Sequence, residues 1–254
     1  MHKIKGIKKE LNIPPSEVDR IKKEIKIRFN ITPGNNICLL MHKLLPVLGL
    51  RGDWVECGTF EGRTLLPIAQ LFAKMPRFAP LHKTIYGLDS FEGFPVSKHH
   101  PNDLPERFKD LYKDKLISKD HFEKAKKRTK NFKSLDHLEG GYFEQVNDIF
   151  EKVKEYPNVR LIKGPFIDTT PNFVQPISLL HLDCDLYESY LTCLNNLYKN
   201  VVNKGVIVFD EYYSHKYPGA RIAIDEFFED KKGTFEYYVT SEGHERWCFI
   251  KEEN

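Results

Sequence analysis

The chain has 254 residues, a formal net charge of +3 at pH 7 and a hydrophobic fraction of 41%. This length and composition provide enough apolar material for one packed domain with additions, which excludes a disordered protein. The small net charge argues against nucleic-acid binding by bulk electrostatics, and the longest apolar runs are too short to span a bilayer. No apolar run near the N-terminus has the character of a secretion signal.

The cysteines are odd in number and scattered along the chain. They form no C-x-x-C pair and have no zinc-site spacing, so neither a disulfide framework nor a structural zinc is predicted. Free cysteines are often buried and persist as thiols in reducing compartments, so we expect buried thiols in a cytoplasmic protein. The five are Cys38, Cys57, Cys184, Cys193 and Cys248.

Residues 1–50 are predicted to form an N-terminal helical extension. Residues 1–30 place Ile and Val among charged side chains at helical spacing, which indicates an amphipathic helix. A second, largely apolar helix is predicted at about 35–48. Because both lie ahead of the main fold, they are candidates for the interface of a homo-oligomer.

Residues 51–254 are predicted to form an α/β domain, because short apolar runs alternate with helical segments. Runs that are apolar throughout suit strands covered on both faces, and repeated strand–helix alternation indicates a doubly wound, mostly parallel sheet of seven strands. The predicted strands are Asp53–Cys57, Thr84–Leu88, Val159–Ile162, Ile177–Leu182, Gly205–Phe209, Phe235–Val239 and Arg246–Ile250. The predicted helices lie near 62–75, 142–155, 188–200 and 219–231. The last two strands form an antiparallel hairpin with its turn at 241–243.

One segment, residues 97–137, is highly charged and lies between two predicted strands. It is too long for a simple connection, and insertions of this kind are typically lids or disordered segments. We therefore predict that residues 97–137 are a charged insertion that acts as a lid.

The first strand of the α/β domain ends in V-E-C-G-T-F-E-G, where the chain turns into a helix. In doubly wound folds ligands bind at this turn, and Gly58 allows a ligand to approach the backbone closely. The motif is not G-x-G-x-x-G, so a dinucleotide is a poor fit. The acidic Glu56 instead suits a cofactor with positive charge, such as S-adenosylmethionine.

The second strand of this domain ends in Y-G-L-D-S-F-E-G-F-P. An acidic residue at this position usually binds the ribose diol of a nucleotide, which is the role predicted for Asp89, with Phe91 against the adenine. Asp89 also has the residue type that caps a turn, and the two interpretations are compatible.

Four carboxylates follow two strands that would be neighbours, in L-H-L-D-C-D-L-Y-E-S and V-I-V-F-D-E-Y. Crowded anions are costly unless a cation neutralises them, and oxygen-only ligands suit Mg²⁺. Asp183 and Asp210 are therefore predicted metal ligands, while Asp185 has the alternative of capping the following helix. His181 lies on the same face of its strand as Asp183 and is a candidate base or a core histidine.

These motifs, together with L-I-K-G-P-F-I-D-T-T-P and A-R-I-A-I-D-E-F-F, resemble the macrocin O-methyltransferase family over about residues 51–250, excluding the charged insertion. The resemblance implies a class I methyltransferase fold, Rossmann-like, and metal-dependent methyl transfer to a hydroxyl, often on a sugar. The sequence departs from the family's motif at Glu211, where the family usually has a second aspartate, and in the length of its insertion.

The resemblance also implies roles for individual residues. The metal ligands would be Asp183, Asp210 and Glu211, with Asp183 also accepting the proton of the acceptor, and His181 is kept as a second catalytic candidate. The cofactor S-adenosylmethionine would be held by Glu56, Gly58, Thr59, Asp89, Ser90, Phe91, Gly164, Phe166 and Asp183.

Two alternatives remain open from the sequence. One is a methyltransferase that acts without metal, or on a phosphate-like or amine acceptor. The other is a cofactor-binding module that does not catalyse and binds a partner through its basic N-terminal helix. The acidic cluster argues against the second, because a binding module has no need of crowded anions. In the favoured interpretation the partner is a small-molecule acceptor, with neither nucleic acid nor a membrane.

Overall fold

The computed structural model describes residues 7–30, 32–74, 83–94, 99–136, 138 and 147–253. Over these residues the strands are β1 (Ile7–Glu10), β2 (Asp53–Cys57), β3 (Ile85–Asp89), β4 (Val159–Lys163), β5 (Ile177–Leu182), β6 (Val201–Phe209), β7 (Gly233–Val239) and β8 (Glu245–Lys251). The helices are α1 (Pro15–Phe29), α2 (Ile37–Leu48), α3 (Leu65–Lys74), α4 (Arg107–Lys113), α5 (Lys119–Arg128), α6 (Asn147–Lys152), α7 (Phe166–Thr169), α8 (Tyr187–Leu197) and α9 (Pro218–Phe227).

All of these strands join one sheet in the order β1-β7-β8-β6-β5-β2-β3-β4. The strands from β6 to β4 run parallel to one another, whereas β8 is antiparallel to both β6 and β7. From β2 the chain proceeds outward through β3 and β4, then returns to build β5 and β6 on the other side. The topological switch point therefore lies between β2 and β5, and its crevice is at the carboxyl ends of the strands.

Helices cover the sheet on both faces, as the runs of apolar residues predict. In β2, Trp54 packs in a cluster with side chains of α1, α2 and α3, whereas Val55 packs in a cluster with side chains of α8 and α9. Successive side chains of a strand point to opposite faces, so burial of both neighbours requires two covered faces. The doubly wound α/β class is thereby confirmed. In the part of the chain described, no helix has the length and apolar character needed to cross a membrane.

The sheet has eight strands where the sequence predicts seven, because the N-terminal segment is not helical throughout. Ile7–Glu10 pairs in parallel with β7, and α1 begins only at Pro15. Pro14 and Pro15 account for this start, since proline favours the first helical turn and cannot continue a helix through its interior. The prediction of a helix over the whole of residues 1–30 is therefore wrong at residues 7–10, and residues 1–6 lie outside the described residues.

Of the charged insertion, residues 99–136 are described and contain α4 and α5. Phe108, Leu111 and Phe132 pack in an apolar cluster that includes Ile222 of α9. Asp103, which is buried, accepts a hydrogen bond from the backbone N–H of Tyr187 at the start of α8 (2.8 Å). The insertion is thus fastened to α8 and α9 and is not a disordered segment.

Three further predictions can be compared with the structure. The hairpin formed by β7 and β8 is confirmed, and its turn is closed by a hydrogen bond from the Thr240 N–H to the His244 carbonyl (2.8 Å). Of the helix predicted at 142–155, residues 147–152 are helical, 153–155 form a 3₁₀ turn, and 142–146 lie outside the described residues. All five cysteines are buried and free, as predicted.

Candidate active site

The carboxyl ends of β2, β3, β5 and β6 open into a cleft of about 1030 Å³. The fold predicts a ligand site here, because parallel strands with a switch point leave a crevice at this edge. The predicted site residues that line the cleft are Glu56, Gly58, Thr59, Asp89, Ser90, Phe91, Phe166, Asp183, Asp210 and Glu211. Gly164 lies next to the lining residue Pro165, and His181 lies beneath the carboxylates.

Gly58 ends β2 in a conformation that only glycine adopts without strain, with a φ of +89°. A Cβ added at this position would lie 1.7 Å from the carbonyl oxygen of Asp183. The N–H of Gly58 donates to the Leu88 carbonyl (2.9 Å), and the N–H of Asp183 donates to the Cys57 carbonyl (2.9 Å). Glycine therefore lets the loop after β2 lie directly against the loop that carries the carboxylates.

Asp89, the last residue of β3, joins the loops after β2 and β3. Its Oδ2 accepts from the N–H of Phe60 and its Oδ1 from the N–H of Phe91, both at 2.8 Å. The second bond is the turn cap that the sequence allows for, and both oxygens keep a lone pair for another donor. The carboxylate is thus positioned at the cleft, where a ribose diol would lie in this fold.

The residues predicted near the adenine lie on two sides of the Asp89 loop. The Phe91 ring is buried edge-on against Phe150, with centroids 4.8 Å apart, and still lines the cleft. The N–H of Gly164 donates to the Asp89 carbonyl (2.9 Å), which fixes the start of α7 and its half-buried Phe166. An apolar wall suited to an aromatic base is therefore present on this side.

Two hydroxyls complete this end of the cleft. Ser90 donates from Oγ to the Gly93 carbonyl (2.9 Å), which stabilises the turn after β3. Thr59 Oγ1 is buried and has no hydrogen-bond partner among the described residues. A buried hydroxyl without a partner is unusual in a folded protein, and a ligand in the cleft would supply one.

Three residues other than glycine adopt positive φ in the loops at this edge: Phe60 (47°), Phe91 (51°) and Asp185 (59°). They follow β2, β3 and β5. This conformation is uncommon for residues with a side chain, and such strain concentrates at functional sites. The strained backbone therefore coincides with the cleft.

The four carboxylates that follow β5 and β6 converge in the structure. One oxygen from each of Asp183, Asp185 and Glu211 lies within 4.8 Å of the others, and Asp210 joins a second such group with Asp183 and His181. Asp185 does not cap α8, whose N-cap is Leu186 and has no side-chain cap. Asp185 is therefore a member of the acidic cluster, and the capping alternative for it is wrong.

Crowding and burial favour the protonated forms of these groups. Burial, and then the neighbouring Asp210 and Asp185, raise the pKa of Asp183 well above its ordinary value. Burial and Asp210 raise the pKa of Asp185 to about 7, and burial and Asp183 raise the pKa of Glu211 well above its ordinary value. A bound cation would reverse this effect, since opposite charge stabilises carboxylates.

The side chain of Glu211 is held in place by two donors. The Tyr190 hydroxyl donates to Oε2 at 2.6 Å, and the N–H of Asp185 donates to the same oxygen at 3.4 Å. Tyr190 is fully buried, so the bond fixes one end of the carboxylate against α8. The longer side chain of Glu211 thereby reaches the same cluster as Asp183.

Glu56 and His181 form a buried pair below the carboxylates. His181 Nδ1 lies 2.9 Å from Glu56 Oε1, while His181 Nε2 and Glu56 Oε2 have no partner among the described residues. Burial raises the pKa of Glu56, and the hydrogen bond to His181 opposes that shift. Glu56 thus orients His181 in addition to lining the cleft, a contact that the sequence does not reveal.

The positively charged wall of the cleft is not predicted from the sequence. The residues concerned are Arg128, His215, Lys216, His244 and Arg246. They come from the charged insertion, the loop after β6 and the β7–β8 hairpin. Lys216 follows the D-E-Y motif closely, and this proximity is the signal that could have drawn attention to it. The others are brought together by packing between segments distant in sequence.

The family described as Macrocin-O-methyltransferase (TylF) matches residues 142–236 of the chain. This segment contains β4, β5 and β6 and therefore all four carboxylates of the acidic cluster. The resemblance stated from the motifs is confirmed by this match.

A curated relative, the demethyldecarbamoylnovobiocin O-methyltransferase of Streptomyces niveus, is 26% identical over 177 residues. The match covers 69% of this chain and 58% of the relative, so the chain spans less than two thirds of that protein's length.

Two solved structures share the fold. The O-methyltransferase NovP aligns with a TM-score of 0.52 at 21% identity, over 86% of this chain and 78% of NovP. The calicheamicin methyltransferase CalS11 aligns with a TM-score of 0.55 at 19% identity, over 96% of this chain and 95% of CalS11. At these identities the structural likeness establishes the fold.

The chain therefore has the class I methyltransferase fold and is similar in sequence to O-methyltransferases. Among proteins with this fold, the sequence similarity over residues 142–236 is to the macrocin O-methyltransferases.

Proposed function

We propose that the chain catalyses methyl transfer from S-adenosylmethionine to a hydroxyl of a small acceptor, such as a sugar or a natural-product precursor, in a reaction that requires Mg²⁺. The observation that carries this proposal is the convergence of Asp183, Asp185, Asp210 and Glu211 beside the Asp89 loop. The fold supports a nucleotide-like cofactor at Asp89, and the cluster adjoins that position.

The donor set fits Mg²⁺, because Asp183, Asp185 and Glu211 offer only oxygen atoms and those atoms lie within 4.8 Å of one another. Asp183 and Glu211 would hold the ion together with Asp185, while Asp210 lies in the adjoining group with Asp183 and His181. When bound, Mg²⁺ would orient the acceptor oxygens and lower the pKa of the hydroxyl that reacts. The Tyr190 hydroxyl, at 2.6 Å from Glu211, keeps that ligand in position.

The cofactor would lie along the loops after β2 and β3, with its ribose on Asp89 and its adenine against Phe91 and Phe166. When bound, S-adenosylmethionine supplies a methyl group on a sulfonium, which an oxygen nucleophile attacks in line. Asp183 accepts the proton of the acceptor hydroxyl, and Glu56 orients His181 below it at 2.9 Å. The protein's contribution is therefore positioning and proton acceptance.

We also propose that the protein works in the cytoplasm as a homo-oligomer. Five free, buried cysteines support a reducing compartment. Ile7 and Ile27 are 69% and 73% exposed, and these apolar side chains on β1 and α1 support contact with a second copy. Sedimentation velocity tests this, and a monomer at micromolar concentration would contradict it.

The first experiment is calorimetric titration of the protein with S-adenosylhomocysteine, with and without Mg²⁺. Saturable binding supports the cofactor assignment and justifies an acceptor screen among sugars and glycosylated natural products. The screen is repeated after dialysis against EDTA, where loss of product supports the metal requirement. Product that survives EDTA would favour the metal-independent alternative, and absence of binding would overturn the proposal.

A further inference from the structure

One wall of the cleft carries basic and imidazole side chains that have no role in the proposed reaction. We call Arg128, His215, Lys216, His244 and Arg246 the basic wall. Arg128 is the last residue of α5, His215 and Lys216 lie in the loop after β6, and the other two belong to the β7–β8 hairpin. The charged insertion and the hairpin thus place cationic and imidazole groups beside the acidic cluster.

The cations of the basic wall keep donors that the protein does not satisfy. Within the described ranges, neither Arg128 nor Lys216 forms an ion pair with a carboxylate. Arg246 is 8% exposed, its nearest carboxylate oxygen is Asp210 Oδ1 at 3.9 Å, and its Nε has no hydrogen-bond partner in the described part of the chain. A buried guanidinium N–H without an acceptor is costly, so an acceptor group in the cleft would be favourable.

The histidines experience the same positive surroundings. Burial lowers the pKa of His215 to about 4 and that of His244 to about 3, and Lys124 and Arg246 act in the same direction. Burial and the charge of Arg128 lower the pKa of Lys216, while Asp185 and Glu211 oppose that shift. At neutral pH the two imidazoles are therefore neutral and offer N–H donors next to the cations.

A transition-metal site explains this arrangement less well. The His215 ring lies 4.8 Å from the ring of His121 and 5.0 Å from that of His244, between centroids. The ligand atoms of the three do not form a group within 4.8 Å among the residues described. Positive charge from Arg246 and Lys124 would also oppose a metal ion, whereas it favours an anion.

We propose that the basic wall binds a phosphate or diphosphate group of the methyl acceptor, so that the substrate is a phosphorylated hydroxyl compound. This inference rests on the proposed function and deepens it by naming the charged part of the acceptor. Arginine and lysine are the side chains that most often bind phosphate oxygens in proteins, and neutral imidazoles add hydrogen bonds without repelling the anion. The acidic cluster would face the reacting hydroxyl, and the basic wall the phosphate.

The test is calorimetric titration with inorganic phosphate and with pyrophosphate on protein saturated with S-adenosylhomocysteine, in EDTA so that no metal is complexed. Wild-type protein is compared with the double variant Arg128→Gln/Lys216→Gln. The control is Lys127→Gln/Lys199→Gln, which removes the same charge from two exposed lysines outside the cleft. If phosphate binds more tightly than pyrophosphate, the acceptor carries a monophosphate. If pyrophosphate binds more tightly, the acceptor carries a diphosphate.

We expect saturable binding of at least one anion, weakened about 10- to 100-fold in the Arg128→Gln/Lys216→Gln variant, since each lost charge-assisted hydrogen bond has a cost of this order. The control is expected to change affinity by about twofold or less, because distant surface charges are screened. If S-adenosylhomocysteine binds but neither phosphate nor pyrophosphate does, this inference is overturned and the proposed function is not. The same holds if both double variants weaken anion binding equally. Failure of S-adenosylhomocysteine to bind overturns the proposed function, and the inference with it.

Discussion

Gly58 shows how one residue without a side chain holds two loops of the active site together. Its φ of +89°, and the 1.7 Å that would separate a Cβ at this position from the Asp183 carbonyl oxygen, leave no room for any other residue. We expect Gly58→Ala to lower the free energy of unfolding by about 3 kcal/mol or more, because backbone must move to relieve the clash. Urea denaturation measures this, and calorimetry measures the accompanying loss of S-adenosylhomocysteine binding.

Gly49 provides the matched control for that substitution. It ends α2 with a φ of −78°, and a Cβ there would meet no atom within 4 Å. Gly49→Ala is therefore expected to be neutral or slightly stabilising, through the reduced entropy of the unfolded chain. Equal destabilisation by the two substitutions would show that the contact between Gly58 and Asp183 is not the cause.

Asp183 is expected to be needed for catalysis and dispensable for cofactor binding. Asp183→Asn preserves the shape of the side chain but removes the base and one anionic ligand, so methyl transfer should fall by about 10²–10⁴-fold. Initial rates with radiolabelled S-adenosylmethionine measure this, and calorimetry should show S-adenosylhomocysteine still bound. Asp148→Asn, at an exposed carboxylate on α6, is the control. Undiminished turnover in Asp183→Asn would contradict the assigned role.

The residues of the acidic cluster are predictable from the sequence because parallel strands bring their carboxyl ends to one edge. Asp183 and Asp210 each follow a buried strand directly, so their proximity follows from topology alone. The contact of Glu56 with His181 and the position of Arg128 depend on side-chain packing across the fold. No spacing rule predicts such contacts, so they emerge only from the structure.

Among the elements, the insertion is attached to α8 partly through a buried carboxylate. Asp103 accepts the N–H of Tyr187 at 2.8 Å, and the His100 ring stacks on Tyr187 with centroids 4.3 Å apart. Burial raises the pKa of Asp103 from 3.8 to about 7, although the bond to Tyr187 opposes the shift. The folded state therefore favours the protonated carboxyl more than the unfolded state does.

The raised pKa of Asp103 in the folded state determines the direction in which stability changes with pH. Because the folded pKa is raised, the contribution of Asp103 is fully present below pH 3.8 and is lost as the pH rises towards about 7. Asp103→Asn keeps an oxygen acceptor but cannot ionise. We expect the stability of wild-type protein relative to this variant to fall between about pH 4 and pH 7 and then to level off. Urea denaturation across this range measures it, and a difference independent of pH would contradict the assignment.

The helices of the insertion and the strand β1 show where pattern-based prediction of elements fails. The insertion is dominated by charged residues, and the few apolar ones that pack, such as Phe108 and Phe132, are too widely spaced to reveal a core. The four residues of β1 are all exposed and pair with β7 mainly through the backbone. In contrast β2 and β5 have the predicted bounds, because a run of apolar residues covered on both faces has few alternatives.

At the scale of the whole molecule, β1 protects the edge of the sheet. It covers β7, and Lys9 lies 3.5 Å from the buried Glu236 of that strand. Deletion of residues 1–10 would expose the β7 edge, and we expect Tm to fall by about 2–4 °C, which corresponds to about 1 kcal/mol at this size. Binding of S-adenosylhomocysteine should persist, because four strands separate β1 from β2 in the sheet.

Differential scanning calorimetry measures the Tm of the deletion variant, and calorimetric titration of the same sample measures its binding of S-adenosylhomocysteine. Lys8→Ser is the control, since the Lys8 side chain is exposed and the strand pairs with β7 through its backbone. Its Tm is expected to match that of the wild type. Loss of cofactor binding on deletion would mean that the N-terminal strand takes part in the site itself.

The two ends of the cleft are built from different parts of the chain. Strand-end loops of the central sheet supply Gly58, Asp89 and Asp183, whereas the insertion and the hairpin supply Arg128 and Arg246. Changes in the second group leave the turns after β2 and β3 unaltered. Substitutions in the insertion or the hairpin can therefore alter what one end of the cleft contacts without disturbing the backbone turns that form the other end.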